Sequence, residues 1–353
     1  MKYNITMRSY QTMLKMLMKR TQISSPQGIK TYEIIGSVGK MNNALDRVIT
    51  DRDRKINIAF ALAEFYGTLF GIDDIQFYKT FIKGYDMYSS DGKSLDGCYG
   101  TRISFLPDEE TPIKSKITES DASINQIMRV IGILKESRFS RRAIVDIYKP
   151  SDTFGGGGKN TPCTLSLQFL VRTRSDGRDY LDCIGYMRSN DMWRGFPYDI
   201  FNFTMIQEFI ARNVNNVVLG SYHHHVGSLH LYDSDLEDVK NIGDEYRWSW
   251  MMNPMPPMDS QIGKVREMVQ SLPYCSTQTD RSRWVSNLFT LSRSGKYGAY
   301  TSTHLAIMAC FAWRYIDEEN CLECYRMIKD KTLKFVFRPW LKSVKLSTKG
   351  FKL

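Results

Sequence analysis

Apolar residues recur every three or four positions in some stretches and at every second position in others, and these two rhythms divide the chain into elements. Tyr10, Leu14, Leu17 and Met18 share one face of an amphipathic helix predicted over 5–22. Residues 56–70 form a strongly apolar helix candidate carrying a single carboxylate, Glu64. Ile124, Ile127, Met128, Ile131 and Leu134 predict another helix, and 143–148 a strand followed by a loose glycine loop at 155–158. The middle is the clearest passage. Leu165, Leu167, Phe169 and Val171 alternate, as do Leu181, Cys183 and Gly185 beyond Asp176-Gly177. That pattern predicts a β-hairpin turning near the Asp-Gly pair. A helix over 199–214, with Phe203, Ile206, Ile210 and Val214 on one stripe, comes next, then strand candidates at 217–222 and 227–232.

Beyond about residue 245 the texture changes. Residues 248–259 are rich in Met and Pro and read as an irregular connector. Helical patterns follow at roughly 260–271, 301–317 and 319–330, and the tail from Pro339 is basic. No solenoid-type repeat is visible. The expectation is an α+β body, residues 1–245, followed by a mostly helical C-terminal appendage, residues 246–353.

Composition narrows the class. A chain of 353 residues, 42% hydrophobic and 24% charged, can bury a sizeable core and reads as an ordinary globular protein. Its longest apolar run, near 304–316, is too short for a bilayer and is broken by Trp313-Arg314. The first residues lack the apolar core and cleavage site of a secretory signal, so a cytoplasmic protein without a membrane partner is expected. Seven scattered cysteines fit reduced thiols better than a disulfide framework. The net charge of +10 asks for anionic partners. A phosphate-bearing small molecule satisfies that demand; the lack of a Lys/Arg block or a nucleic-acid module argues against nucleic acid.

Cys163 lies in Asn160-Thr161-Pro162-Cys163-Thr164, where the glycine loop meets a strand. By position alone it could be a buried structural thiol. Arg141 and Arg142 upstream, and Arg188 at the far end of the hairpin, change that view, because positive charge favours the nucleophilic thiolate. Glu64, a carboxylate on an otherwise apolar helix, should have a raised pKa suited to proton transfer. The run His223–His225 has no acidic or cysteine partner at useful spacing, and Cys321 with Cys324 lacks a second pair, so no metal is expected.

These residues run in a recognisable order. Pro162-Cys163, Gln168-Phe169, Arg188-Ser189-Asn190-Asp191, Gly195-Phe196-Pro197-Tyr198-Asp199 and His230-Leu231-Tyr232 resemble the thymidylate synthase superfamily, which includes deoxycytidylate hydroxymethylases. Glu64, Tyr99-Gly100 and Arg141-Arg142 also fall in family order, and the resemblance covers roughly residues 15–235. It implies a large twisted β-sheet packed by helices and a homodimer. The implied activity transfers a one-carbon unit from 5,10-methylenetetrahydrofolate to C5 of a pyrimidine nucleoside monophosphate. By the same resemblance Cys163 is the nucleophile that adds to C6, with Glu64 and Asp191 beside it in the catalytic set. Arg188 and Ser189 would bind phosphate, and Arg141 and Arg142 would reach across the dimer to do so. His230 and Tyr232 would hold the sugar, and Asp191 and Tyr198 would contact folate. Tyr85 or a neighbour would stand in for a stacking tryptophan.

Three departures from the family pattern bear on substrate. Gln27 stands where another phosphate-binding arginine is usual, with Lys30 nearby. Thr164 replaces the histidine that usually follows the nucleophile. Asp199 occupies the position where uracil-directed enzymes carry asparagine. A carboxylate accepts a hydrogen bond from the 4-amino group of cytosine but opposes the O4 acceptor of uracil. Helix capping is the competing account of Asp199. The resemblance therefore implies dCMP (or CMP) hydroxymethylation, with dUMP methylation and a non-catalytic nucleotide- or RNA-binding relative as alternatives.

Overall fold

The structure, a computed structural model, describes residues 1–20, 22–24, 28–51, 53–104, 125–154, 159–242 and 251–341. Gln27, the glycine loop at 155–158, the expected boundary near 245 and the tail beyond 341 lie outside the described residues. The expected hairpin is at the centre of one sheet. Its strands are β1 (Lys2–Asn4), β2 (Gln22–Ser24), β3 (Lys30–Met41), β4 (Ile144–Asp146), β5 (Thr164–Thr173), β6 (Asp179–Asp191) and β7 (Val218–Tyr232). They are ordered β1-β3-β7-β6-β5-β4, with β2 pairing to β3. β5 and β6 run antiparallel and close through the Asp176-Gly177 turn, where Gly177 has φ +74°. β6 and β7 run parallel, so a helix has to carry the chain between them.

Twelve α-helices are found among the described residues. The first seven are α1 (Met7–Leu17), α2 (Ile58–Phe70), α3 (Ile75–Lys79), α4 (Tyr99–Ser104), α5 (Gln126–Glu136), α6 (Phe196–Asn213) and α7 (Leu236–Lys240). α6 is the crossover helix and covers β6 and β7, and α2 packs behind it. The side chain of Asn57 caps α2 by accepting from the N–H of Phe60 at 3.1 Å, and the helix ends on left-handed Gly71. Every residue of α2 is buried except Glu64. The expected α+β class is therefore what the chain adopts, with the hairpin and the α2, α5 and α6 helices where the hydrophobic rhythm put them. No helix among the described residues is long and apolar enough to cross a membrane.

The structure corrects several expected elements. The two strands at 217–222 and 227–232 are one continuous strand, β7. The polar triplet His223–His225 hides the alternation, yet His224 is buried while His223 and His225 are half-buried, as period two requires. β3, the partner of β7, has no counterpart in the expected elements. Its sequence KTYEIIGSVGKM interrupts the alternation with glycine, and Gly36 at φ +65° is skipped in the pairing of Ile35 with Ser228 and Ser37 with Val226. A residue without Cβ adopts that left-handed conformation freely, and the register continues unshifted on both sides of it.

The C-terminal helices are α8 (Ile262–Ser271), α9 (Gln278–Ser292), α10 (Lys296–Trp313), α11 (Glu318–Met327) and α12 (Lys331–Leu341). The sequence pattern predicted α8, α10 and α11 but neither α9 nor α12. Five of fifteen residues in α9 are buried, too sparse a stripe to stand out among its polar residues. Their anchorage to the body is specific. The indole N–H of Trp340 donates to the Ile56 carbonyl at 2.9 Å, Tyr66 on α2 bonds Nδ1 of His304 on α10 at 3.0 Å, and the N–H of Met252 donates to the Leu45 carbonyl at 3.1 Å.

Candidate active site

Sheet register brings the chemically suggestive residues to one end. Cys163 immediately precedes β5, and its carbonyl accepts from the N–H of Arg188 near the end of β6 at 2.9 Å. Because β7 runs parallel to β6, Asp191 sits beside His230. Ser189 Oγ and His230 Nδ1 are 3.3 Å apart, and the rings of His230 and Tyr232 meet edge to face at 5.0 Å. α6 starts just after β6 and carries Tyr198 and Asp199 in its first turn, while α2 brings Glu64 to the same place.

The electrostatics tie these groups together. Burial pushes the Cys163 thiol up; Arg188 opposes this, and Asp199 and Asp191 add to it. This corrects the expectation that neighbouring arginines hold the thiol low within one chain. Arg188 turns its guanidinium onto backbone, donating from Nε to the Pro162 carbonyl at 2.9 Å and from Nη2 to Thr161 at 3.0 Å. Arg141 and Arg142 are exposed ahead of β4 and are not among the charges acting on the sulfur. Desolvation therefore wins over attraction. Cys163 as a residue is only partly buried.

Glu64 behaves as expected: burial first, and then the charge of Asp199, raise its carboxyl well above the ordinary range. Among the described residues it has no hydrogen-bond partner, which leaves its carboxyl free for a ligand or solvent. Asp199 is pushed up to about 7, chiefly by burial, then by Asp191, with the Asn190 amide acting the other way. It is not the cap of α6. The N-cap is Gly195, and the Asp199 side chain instead accepts from Asn190 Nδ2 at 2.7 Å. The capping account of Asp199 is thereby set aside.

Asp191 has a divided role. Its Oδ1 accepts from the N–H groups of Trp193 and Arg194 at 2.7 and 2.9 Å. Its Oδ2 is buried without a partner among the described residues. An unsatisfied buried acceptor of this kind is costly and needs an outside donor. Tyr198 is half-buried: its hydroxyl accepts from the N–H of Asn57 at 3.1 Å, and its ring meets Phe60 edge-on at 5.3 Å. Tyr85 stacks on Tyr78 with centroids 5.6 Å apart and is among the groups near Glu64.

Several members of the cluster carry no sequence-level role. The Tyr99 hydroxyl accepts from both the N–H and the hydroxyl of Thr164, and burial, then Asp199 and Cys163, raise its pKa. Arg54 lies over the Trp193 ring at 4.4 Å and donates to its carbonyl. Asn190 connects Asp199 to His224. Tyr99 and Asn190 lie inside the ordered motifs, whereas no motif marks Arg54.

The sequence model described as thymidylate synthase matches residues 8–249, more than half of the chain. The chain belongs to the thymidylate synthase family. Among its relatives is the deoxyuridylate hydroxymethyltransferase of Pseudomonas phage M6, 28% identical over 246 residues, which cover 69% of this chain and 62% of that protein. The thymidylate synthase of Malacoplasma penetrans is 29% identical over 132 residues, 36% of this chain and 42% of its own length. That of Listeria monocytogenes (strain HCC23) is 33% identical over 123 residues, 35% of this chain and 37% of the synthase. The chain thus spans less than two thirds of the length of each of these relatives.

Proposed function

We propose that the protein transfers a one-carbon unit to C5 of a pyrimidine nucleoside monophosphate, acting on dCMP (or CMP) and leaving a 5-hydroxymethyl group. The observation that carries the base assignment is the Asp199 carboxyl in the Cys163–Glu64 cluster, where uracil-directed relatives would have an amide. One Asp199 oxygen is taken by Asn190. The other can accept from the exocyclic amino group of cytosine.

In this reading the Cys163 sulfur adds to C6 of the ring, and the added electron density makes C5 nucleophilic. Arg188 supplies the positive charge behind the sulfur and, with Ser189, a cradle for the nucleotide phosphate. His230 and Tyr232, on one side of β7, hold the sugar. Glu64, its carboxyl raised well above the ordinary range chiefly by burial, relays protons at the polar edge of the ring. The open carboxylate oxygen of Asp191 fits the amino and ring N–H donors of a pterin, with Tyr198 beside it, which supports folate as co-substrate. When bound, 5,10-methylenetetrahydrofolate supplies a carbon at the oxidation level of formaldehyde.

Exposed Arg141 and Arg142 at the β4 side, and partly exposed apolar side chains Ile144, Ile184 and Tyr186 on β4 and β6, support a homodimer that completes each phosphate site. The phage relative's name supports hydroxymethyl rather than methyl as product, and it also favours a second reading, in which the substrate is dUMP. A protonated Asp199 offers a donor for O4 of uracil, and its value of about 7 makes that form accessible. Incubation with methylenetetrahydrofolate and dCMP or dUMP, followed by mass analysis, decides between them. Hydroxymethyl-dCMP without dihydrofolate is expected. Product formed only from dUMP would overturn the cytosine assignment, and turnover by Cys163→Ser would overturn the mechanism.

A further inference from the structure

Behind Asp199 runs a chain of buried polar groups that the chemistry above does not use. Asn190 Nδ2 meets Asp199 Oδ2 at 2.7 Å, Asn190 Oδ1 meets His224 Nε2 at 2.9 Å, and His224 Nδ1 meets the Tyr222 hydroxyl at 2.7 Å. Asn190, His224 and Tyr222 are all buried, on the adjacent strands β6 and β7. Placing three polar side chains in a sheet core is costly unless each is fully paired. We propose that Tyr222, His224 and Asn190 are positioning residues that fix the hydrogen-bonding sense of Asp199, and through it the choice of pyrimidine base.

The sense follows from the closed end of the chain. The Tyr222 hydroxyl lies against the backbone of Gly185, where a Cβ would come within 2.6 Å of it. Among the described residues its hydrogen-bond partner is His224 Nδ1. A buried hydroxyl with one partner donates to it, since an unpaired buried donor is costly. Tyr222 does not ionise, because burial raises its pKa well above the ordinary range. Nδ1 of His224 is therefore the acceptor, and the ring proton is on Nε2. Burial holds the ring neutral, with its pKa lowered to about 3, so no second ring proton is available. Nε2–H must then donate to Asn190 Oδ1, which turns the amide NH2 toward Asp199. Asp199 Oδ2 is committed as an acceptor, and Oδ1 alone is left for the base.

Without the relay the Asn190 amide could turn over. Its carbonyl would then face Asp199 and draw a proton onto Oδ2. With the relay intact, Oδ1 is an acceptor whenever Asp199 is ionised, which matches the 4-amino group of cytosine. This rests on the reading that Asp199 faces the base, so the test separates the two claims.

The experiment uses the full chain with its five histidines labelled with 15N, alongside dissociation constants for dCMP and dUMP. The His224 resonance, assigned by its loss in His224→Gln, is expected to report a neutral Nε2–H tautomer that does not titrate between about pH 5 and 8. In Tyr222→Phe, which removes one oxygen and keeps the ring, the preference for dCMP over dUMP is expected to fall roughly tenfold. Asp199→Asn should lower it as well. An Nδ1–H tautomer in the wild-type protein overturns the relay. So does an unchanged preference in Tyr222→Phe when Asp199→Asn has shifted it. If Asp199→Asn itself leaves the preference unmoved, the assignment of Asp199 to the base falls, and the relay's role falls with it.

Discussion

Arg188 is clamped to the segment that presents Cys163: its Nε donates to the Pro162 carbonyl and its peptide N–H to the Cys163 carbonyl, each at 2.9 Å. The guanidinium therefore sits at a fixed place behind the sulfur, and its charge is the one influence that lowers a thiol otherwise pushed up by burial. Replacing it with leucine removes that opposition, so less thiolate exists at a given pH. Alkylation of Cys163 by iodoacetamide near neutral pH is expected to slow roughly fivefold in Arg188→Leu. An unchanged rate would show that the guanidinium field does not reach the sulfur.

Glu64 is the one residue of α2 that is only partly buried. An apolar helix presenting a single carboxyl at its open position can deliver or take a proton there, and a glutamine of the same shape cannot. Glu64→Gln is expected to lower kcat by roughly a hundredfold or more while leaving nucleotide affinity within a few-fold. Steady-state kinetics with direct nucleotide titration checks both. Lost affinity at unchanged kcat would make Glu64 a binding group instead.

The parts of this molecule that could be read ahead of the structure are those where one rhythm acts alone. α2 and the β5–β6 hairpin repeat cleanly because each buries one well-defined set of positions. β3 shows no clean rhythm because Gly36 and Gly39 break its apolar run and Glu33 and Lys40 interrupt it. For the site, Cys163, Glu64, Asp191, Arg188 and Asp199 announced themselves through motif order and converge in space. Asn190 lies inside an ordered motif without a role of its own, and His224 sits in a histidine run whose pattern gives no sign of a buried relay. Side chains that act through other side chains leave no spacing rule in one dimension. Their partners come from neighbouring strands, and only the register of β6 against β7 brings them together.

Arg47 and Glu208 form an ion pair at 2.6 Å with neither side chain exposed, and Glu208 also accepts from the N–H of Met255 at 2.7 Å. This pair joins the segment ahead of α2, helix α6 and the chain leading into the C-terminal helices. Arg47→Met leaves a buried carboxylate without its main counter-charge, and a loss of about 3–5 kcal/mol is expected in urea unfolding. The double variant Arg47→Met with Glu208→Leu should recover most of that loss, because apolar side chains avoid the desolvation penalty of both charges. What it cannot recover is the bond to Met255, so about 1 kcal/mol should remain missing. Full destabilisation in the double variant would locate the cost in packing rather than in the stranded charge.

The base preference itself should depend on pH. Asp199 faces Asn190 and Asp191 from β6, Glu64 from α2, Tyr99 from α4 and Cys163 ahead of β5, and its carboxyl is raised to about 7. Below that value it is neutral, and with Oδ2 already accepting from Asn190 the proton belongs on Oδ1, where it can donate to O4 of uracil or N3 of cytosine. Above it Oδ1 is a bare acceptor, which still pairs with the 4-amino group of cytosine but opposes O4 of uracil. As pH rises through about 7, kcat/KM for dUMP is expected to fall relative to dCMP, approaching tenfold per unit well above the transition. Ionisation of the Cys163 thiol in the free enzyme acts on both nucleotides alike and cancels in the ratio, so a competition assay with the two substrates in one vessel isolates Asp199. In Asp199→Asn the ratio should become flat across the same range. A wild-type ratio that is already flat would mean that Asp199 does not change its protonation against the base.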